Sequence, residues 1–255
     1  EDHSEMKWLE DELLHAERLA SIGRLAAGVA HEVGNPITGI SSLAQNLRYD
    51  TTDPQVLKTA EQIQQLTDRV SRIVSSLVSF AHGGRHGEGS RLMAIDLAQL
   101  IEEALHLIQL AHSRKDVVYR NHCAADLQVL GDAQRLVQVL VNLIGNARDA
   151  SPHGGEIVIE ALTRQDHVQV TITDQGPGID AAIRDHLFEP FTTTKPPGEG
   201  TGLGLPLVYN IIREHHGQIQ IDSPPPGLVH GTRIVMQLPR PQEDGENSDE
   251  PDPDR

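Results

Sequence analysis

Apolar residues recur every three or four positions through the first third of the chain and then give way to shorter, alternating segments. On a wheel of about 100° per residue, Ile22, Ala26, Val29, Val33, Ile37, Ile40, Leu43 and Leu47 form one stripe. Leu9, Leu13, Ala16 and Ala20 carry the spacing upstream, so residues 7–49 are expected to form one long helix. TTDP at 51–54 reads as a turn and a new helix start. A second helix is expected over 55–82, with Val56, Ala60, Ile63, Leu66, Val70, Ile73 and Leu77 on its apolar side. Such a hairpin cannot hide a full stripe by itself, and dimerisation into a four-helix bundle is the expected solution.

GGRHGEGS at 83–90 reads as a linker, and beyond it strands alternate with helices. Strands are expected at 93–95, 117–120, 128–130, 156–163, 167–174, 218–222 and 232–238, and helices at 96–111, 132–150 and 205–216. Helices layered on a sheet make this second unit α+β. The organisation expected is a helical lead-in and hairpin over 1–82, a linker over 83–92, an α+β domain over 93–240 and a disordered acidic tail over 241–255.

Composition narrows the partners. A net charge of −16 argues against a nucleic-acid or anionic-membrane surface, so any phosphate ligand must be held locally by backbone N–H groups, a metal ion and a few placed cations. The single cysteine, Cys123, excludes an internal disulfide and suits a reducing, cytoplasmic compartment. No run is apolar enough to cross a bilayer. Because the chain opens inside a helical pattern without cap or leader, an upstream sensor or membrane segment is expected outside it, and anchoring in an inner membrane would come only through that segment.

Four stretches carry candidate chemistry. In LAAGVAHEVGNPITGI, His31 and Asn35 fall opposite the apolar stripe, with Glu32 directly after the histidine. Pro36 cannot donate to the Glu32 carbonyl, so the helix is expected to bend or loosen there, and the small residues Ala26, Ala27, Gly28, Ala30 and Gly34 leave room for a bulky partner. In NLIGNARDA, Asn142 and Asn146 lie one turn apart; they fit neutral oxygen ligands for Mg²⁺ carried by a triphosphate, or two ordinary surface amides. DQGPGI, 174–179, sets the carboxylate of Asp174 beside a tight turn with Gly176 and Gly178, which fits the exocyclic amine of adenine. In FEPFTTTKPPGEGTGLGL, 188–205, the glycines Gly200, Gly202 and Gly204 lead into a helix whose N-terminal dipole faces a phosphate, with Lys195 as the nearby cation.

Singly these signals are modest, but their order within one chain is specific. Over essentially its whole folded length the chain resembles a two-component sensor histidine kinase. HEVGNP resembles the H box of the dimerisation and phosphotransfer domain, and NLIGNARDA, DQGPGI, EPFTTTK and GEGTGLGL resemble the N, G1, F and G2 boxes of the GHKL ATP-binding fold. The plain HE and the short loop after TTTK are similar to the nitrogen-regulator subclass. The resemblance implies that ATP phosphorylates His31, that Glu32 takes the other ring proton, and that Asn35 orients water when a response regulator is dephosphorylated. It implies Mg²⁺ on Asn146, phosphates near Asn142, the adenine amine on Asp174, and a phosphate contact from Lys195. Asp149, one turn after Asn146, joins the candidate set. The partners implied are a second copy, giving a homodimer, and the receiver aspartate of a response regulator.

Two other functions share parts of the pattern. A GHKL ATPase would carry a water-activating glutamate where this chain has Asn142, and would leave the hairpin unexplained. A dimeric scaffold that only senses nucleotide would lack the histidine, an asparagine or the glycines, and all are present.

Overall fold

The computed structural model describes residues 32–82, 92–110, 116–196 and 200–241. His31, the helix expected before it, residues 83–91 of the linker and the tail beyond 241 lie outside the described residues. Helix α1, residues 32–50, continues through Pro36, and α2 spans Pro54–His82. Between them Asp53 starts the second helix, its Oδ1 accepting from Gln55 N at 2.8 Å.

The two helices close on small residues. Ala44 and Ala60 are 1% and 0% exposed, Thr67 is buried, and Arg48 Nη1 donates to Gln64 Oε1 at 3.1 Å across the hairpin. This divides the single apolar stripe expected on α1. Val33 and Ile37 are half-buried beside Ala44, whereas Ile40, Leu43 and Leu47 are exposed. On α2, Leu66 is likewise exposed while its neighbour Thr67 is buried. A stripe wide enough for two contacts reads as one on a wheel, but one partner helix covers only one side of it.

The second unit opens with β1 (Met93–Asp96) and α3 (Leu97–Leu110), where Asp96 Oδ1 accepts from Ala98 N at 2.8 Å. Then come β2 (Val117–Cys123), β3 (Gln128–Gly131), α4 (Ala133–Ala150), β4 (Gly155–Thr163) and β5 (His167–Asp174). A short 3₁₀ turn (Ala181–His186) precedes α5 (Gly204–Glu214), β6 (Gln218–Asp222) and β7 (Thr232–Pro239). The main sheet has order β2-β4-β5-β7-β6, with β2 parallel to β4 and the other pairs antiparallel; β1 and β3 form a separate ribbon.

Period-two burial explains the layering. Ile157, Ile159 and Ala161 of β4, Val168, Val170 and Ile172 of β5, and Ile234, Met236 and Leu238 of β7 all point to one buried face. The apolar sides of the helices cover it: Ile101 and Ala104 from α3, Leu140, Leu143, Ile144 and Ala147 from α4, and Val208, Ile211 and Ile212 from α5. Truncating one of these leucines or isoleucines to alanine would cost on the order of 2–5 kcal/mol. Leu77 of α2 packs against the same core, so the hairpin meets the α+β unit at α5.

One buried polar group ties the layer together. His215, 1% exposed, donates from Nδ1 to Ile211 O at 2.7 Å and accepts at Nε2 from Asp132 N at 3.0 Å, joining the end of α5 to the start of α4. Only the neutral ring makes both bonds. Burial pushes its pKa down, and Arg135 adds to this, against the Ile211 carbonyl, Asp132 and Glu214. A depressed histidine contributes stability that is complete above the unfolded value, about 6.5, and is lost as the pH falls toward the folded one. We expect His215→Gln to cost on the order of 1–2 kcal/mol at pH 7.5, with the gap to wild type narrowing by pH 5 in urea unfolding. A gap independent of pH would rule this coupling out.

Candidate nucleotide site

Helix α4 is the spine of the site. Its buried face runs through Leu136, Leu140, Leu143 and Ala147, which turns Asn142, Asn146 and Asp149 toward the loops. Asp132 caps the helix, accepting from Arg135 N at 3.1 Å. Three sequence motifs then meet it, one near its middle and two at its C-terminal end.

At the first, a Cβ built on Gly204 would stand 3.1 Å from Asn142 Oδ1, so the start of α5 approaches the first asparagine at a distance suited to glycine. Asn142 Nδ2 donates to Gln138 O at 2.9 Å, which holds the amide in place. At the second, Lys195 Nζ contacts Asp149 Oδ2 at 2.6 Å. At the third, a Cβ on Gly176 would lie 2.9 Å from the Ala150 Cβ and from Asp174 Oδ1, so the DQGPGI turn sits directly on the end of α4. Asn146 stands between these contacts, half-buried, and its amide has no hydrogen-bond partner among the described residues.

Asp174 ends the central strand β5 and is 5% exposed. Gly176 N and Thr232 N both donate to its Oδ1, at 2.8 and 3.2 Å, while Oδ2 receives no bond among the described residues. Burial raises the Asp174 pKa, and the two backbone amides work against that rise. The turn beyond it is held by Ser223, whose Oγ accepts from Ile179 N at 2.7 Å and donates to Gly231 O at 3.1 Å. Gly178, at φ +88°, adopts a conformation that favours glycine, and a Cβ there would press on Ser223 Oγ.

The glycine loop is fastened by Phe191 N donating to Gly202 O at 2.9 Å. Gly202, at φ +64°, lies so near the Phe191 backbone that any side chain would overlap it. A Cβ on Gly200 would press on Thr193 Oγ1 and Lys195 Cβ, and Phe188 packs on Tyr209 of α5 with ring centroids 5.0 Å apart. Helix α5 begins at Leu203 with no side-chain cap, leaving its first amides for an anion.

The structure thus brings Gly204, Lys195 and Gly176 against Asn142, Asp149 and Ala150 of α4, with Asn146 between them, Asp174 bonded to Gly176, Gly200 and Gly202 packed on residues 191–195, and Gly178 against Ser223. Glu32 and Asn35 are exposed on α1, apart from this cluster, and His31 is outside the described residues. Thr232 and Ser223 also serve the site and carry no local signal in the sequence; each acts from a strand end distant in the chain, as a small polar residue beside Gly231 or Pro224.

A buried carboxyl group at the end of the central strand, half-buried amides on the neighbouring helix and an uncapped helix start are groups suited to the base and phosphates of a nucleotide. Comparison with known proteins agrees. Residues 131–242 match the family described as Histidine kinase-, DNA gyrase B-, and HSP90-like ATPase, and residues 21–85 match the His Kinase A (phospho-acceptor) domain. The C4-dicarboxylate transport sensor protein DctB of Rhizobium meliloti is 34% identical over 89% of this chain, and the signal transduction histidine-protein kinase AtoS of Escherichia coli is 36% identical over 89%. The chain spans 36% of the length of each. A mycobacterial sensor histidine kinase structure, MprB, is 31% identical with a TM-score of 0.53, covering 59% of this chain and 99% of that one. The structure of histidine kinase ThkA in complex with response regulator protein TrrA is 27% identical with a TM-score of 0.61, covering 93% and 67%.

The chain belongs to the two-component sensor histidine kinases, and it carries their catalytic core, a phosphoacceptor domain followed by an ATP-binding domain. No helix among the described residues is long and apolar enough to cross a membrane.

Asp174→Asn tests whether this carboxyl group binds the base of a nucleotide. The Gly176 and Thr232 amides require an acceptor at Oδ1, so the new NH₂ would point where a purine amine needs an acceptor. We expect ADP affinity to fall by about 10- to 100-fold, corresponding to roughly 1–3 kcal/mol, with the thermal midpoint little changed. Calorimetric titration showing unaltered affinity would remove Asp174 from the site.

Proposed function

We propose that this core phosphorylates itself on His31 with ATP and passes the phosphoryl group to an aspartate of a response regulator. The observation that carries the reading is the convergence of the turn after β5 and both ends of the 188–205 loop on one face of α4, around an Asn146 amide that has no hydrogen-bond partner among the described residues. Asp174 takes the adenine amine, Gly176 and Gly178 shape the turn below the base, and Gly200, Gly202 and Gly204 bring backbone amides to the phosphates near Asn142.

Mg²⁺ fits the donors present. Among the described residues no group of three His, Cys, Asp or Glu could hold a metal, whereas Asn146 offers a neutral oxygen to an ion that arrives with the triphosphate. Such an ion would neutralise charge on the phosphate oxygens. In the transfer itself, a His31 ring nitrogen attacks the γ-phosphorus, the bond to the β-γ bridging oxygen breaks, and ADP leaves. Glu32 accepts the proton of the other ring nitrogen. Little covalent help is needed, so alignment of the two domains dominates.

Dimerisation follows from the exposed Ile40, Leu43, Leu47 and Leu66, which a second copy would cover in a four-helix bundle. ThkA, solved with a response regulator, supports a receiver domain as the partner. We assign residues 1–82 to phosphotransfer and dimerisation, 83–92 to the linker and 93–240 to ATP binding, with the nitrogen-regulator subclass as the finer placement. Any membrane anchor would lie in upstream segments.

Incubation with radiolabelled Mg·ATP should give an acid-labile, base-stable label on the wild type and none on His31→Gln. Label persisting in that variant would refute the assignment. Asn35 is exposed on α1 one turn beyond Glu32. Asn35→Ala should autophosphorylate at close to the wild-type rate and lose dephosphorylation of the regulator by at least about tenfold; parallel losses would assign Asn35 to the helix alone.

A further inference from the structure

The carboxylate of Asp149 is held by two cations on opposite sides. Arg148 reaches Oδ1, at 3.2 Å from one terminal nitrogen and 3.4 Å from Nε, and also donates to Ile108 O of α3 at 3.3 Å. Lys195 reaches Oδ2 at 2.6 Å. The two bonds differ in kind. Arg148, 16% exposed, is fastened to the helix layer, whereas Lys195 and Asp149 are 34% and 39% exposed, and Lys195 sits on the loop that touches Gly200. Losing Lys195 would still leave the carboxylate with Arg148, so exchange of the lysine strands no buried charge.

Asp149 stands one turn past Asn146, at the edge where a triphosphate would lie if the site binds nucleotide as proposed. We propose that Lys195 is a two-position cation, latched on Asp149 in the nucleotide-free protein and surrendered to a bound triphosphate, so that Asp149 sets how strongly the site prefers a triphosphate to shorter ligands. The inference rests on the nucleotide reading and deepens it. Lysine suits the role because its ammonium is a point charge on a flexible stem, whereas the guanidinium of Arg148 is held by its planar geometry. A partly exposed pair of this kind contributes no more than about fivefold to an equilibrium constant, which a polyanion can overcome. Asp149 is therefore a positioning residue, acting through Lys195.

The test is a set of equilibrium titrations on the full chain with three probes: a non-hydrolysable ATP analogue with Mg²⁺, ADP with Mg²⁺, and adenosine. Four proteins are compared: wild type, Asp149→Asn, Lys195→Met and the double variant. Asp149→Asn is nearly isosteric and keeps an acceptor for Arg148. It should tighten the triphosphate by roughly three- to fivefold and leave adenosine unchanged. Lys195→Met should weaken the triphosphate by a similar factor, and in its background Asp149→Asn should change the triphosphate by less than about 1.5-fold. An equal or larger gain from Asp149→Asn without the lysine would reduce Asp149 to a general repulsive charge and overturn the latch. Weakening by Asp149→Asn, or equal changes with adenosine, would overturn it as well. Failure of the wild type to bind any probe would instead overturn the nucleotide reading and the latch together.

Discussion

Helix α4 must bury one side and offer the other, and both sides are written in the same eighteen residues. Leu136, Leu140, Leu143, Ile144 and Ala147 are almost fully buried against the sheet and the flanking helices, which fixes the rotation of the helix about its axis. Once that rotation is fixed, Asn142, Asn146 and Asp149 have no freedom to face elsewhere. The loops contribute the remaining contacts, and they register on α4 through close approaches at glycines, Gly204 at Asn142 and Gly176 at Ala150. A shift of one residue in the helix would turn the amides about 100° away and push side chains into those approaches.

That dependence explains how much of the molecule was legible in the sequence. Local periodicity was enough for the strand pair β4 and β5, whose alternation marks the buried face, and for the existence of α3 and α4. It could not show that β2 pairs parallel with β4, or that β7 inserts between β5 and β6, because register between distant strands is decided by the whole sheet. The strand at 117–120 also runs on to Cys123, carried by a ladder to β4 through polar residues without a buried stripe. The site residues could be picked out by type and spacing, yet the amide of Thr232 on Asp174 and the ring of His215 on Asp132 could not. Both are long-range hydrogen bonds, and nothing in their own neighbourhood announces them.

The hairpin shows the same division. Small residues at Ala44 and Ala60 let α1 and α2 approach closely, and that contact uses only half of the apolar surface of α1. A helical wheel counts apolar positions without saying how many partners they serve. Leaving Ile40, Leu43 and Leu47 in water would forfeit roughly 1.5–3 kcal/mol for each side chain that could be fully buried, which makes a lone hairpin a poor end state. The dimer proposed above and the phosphoacceptor face thus draw on one helix, with burial on one side orienting what the other presents.

Electrostatics sets the two ends of the nucleotide site apart. The chain carries a net charge of −16, so a polyphosphate gains little from the long-range field and depends on local dipoles and few cations. The base end is buried and cross-linked: Asp174 is fixed by two backbone amides, and Ser223 ties the adjoining turn to Gly231. The end proposed for the phosphates is half-exposed, with an uncapped helix start, an amide without a hydrogen-bond partner among the described residues and a lysine already paired. If the site binds nucleotide as proposed, the cross-linked end would hold the base, and the half-exposed end would let charge contacts re-form as the terminal phosphoryl group departs. Binding energy gained equally before and during transfer does not lower the barrier, so on the proposed function the half-exposed end is the one that would matter to phosphoryl transfer.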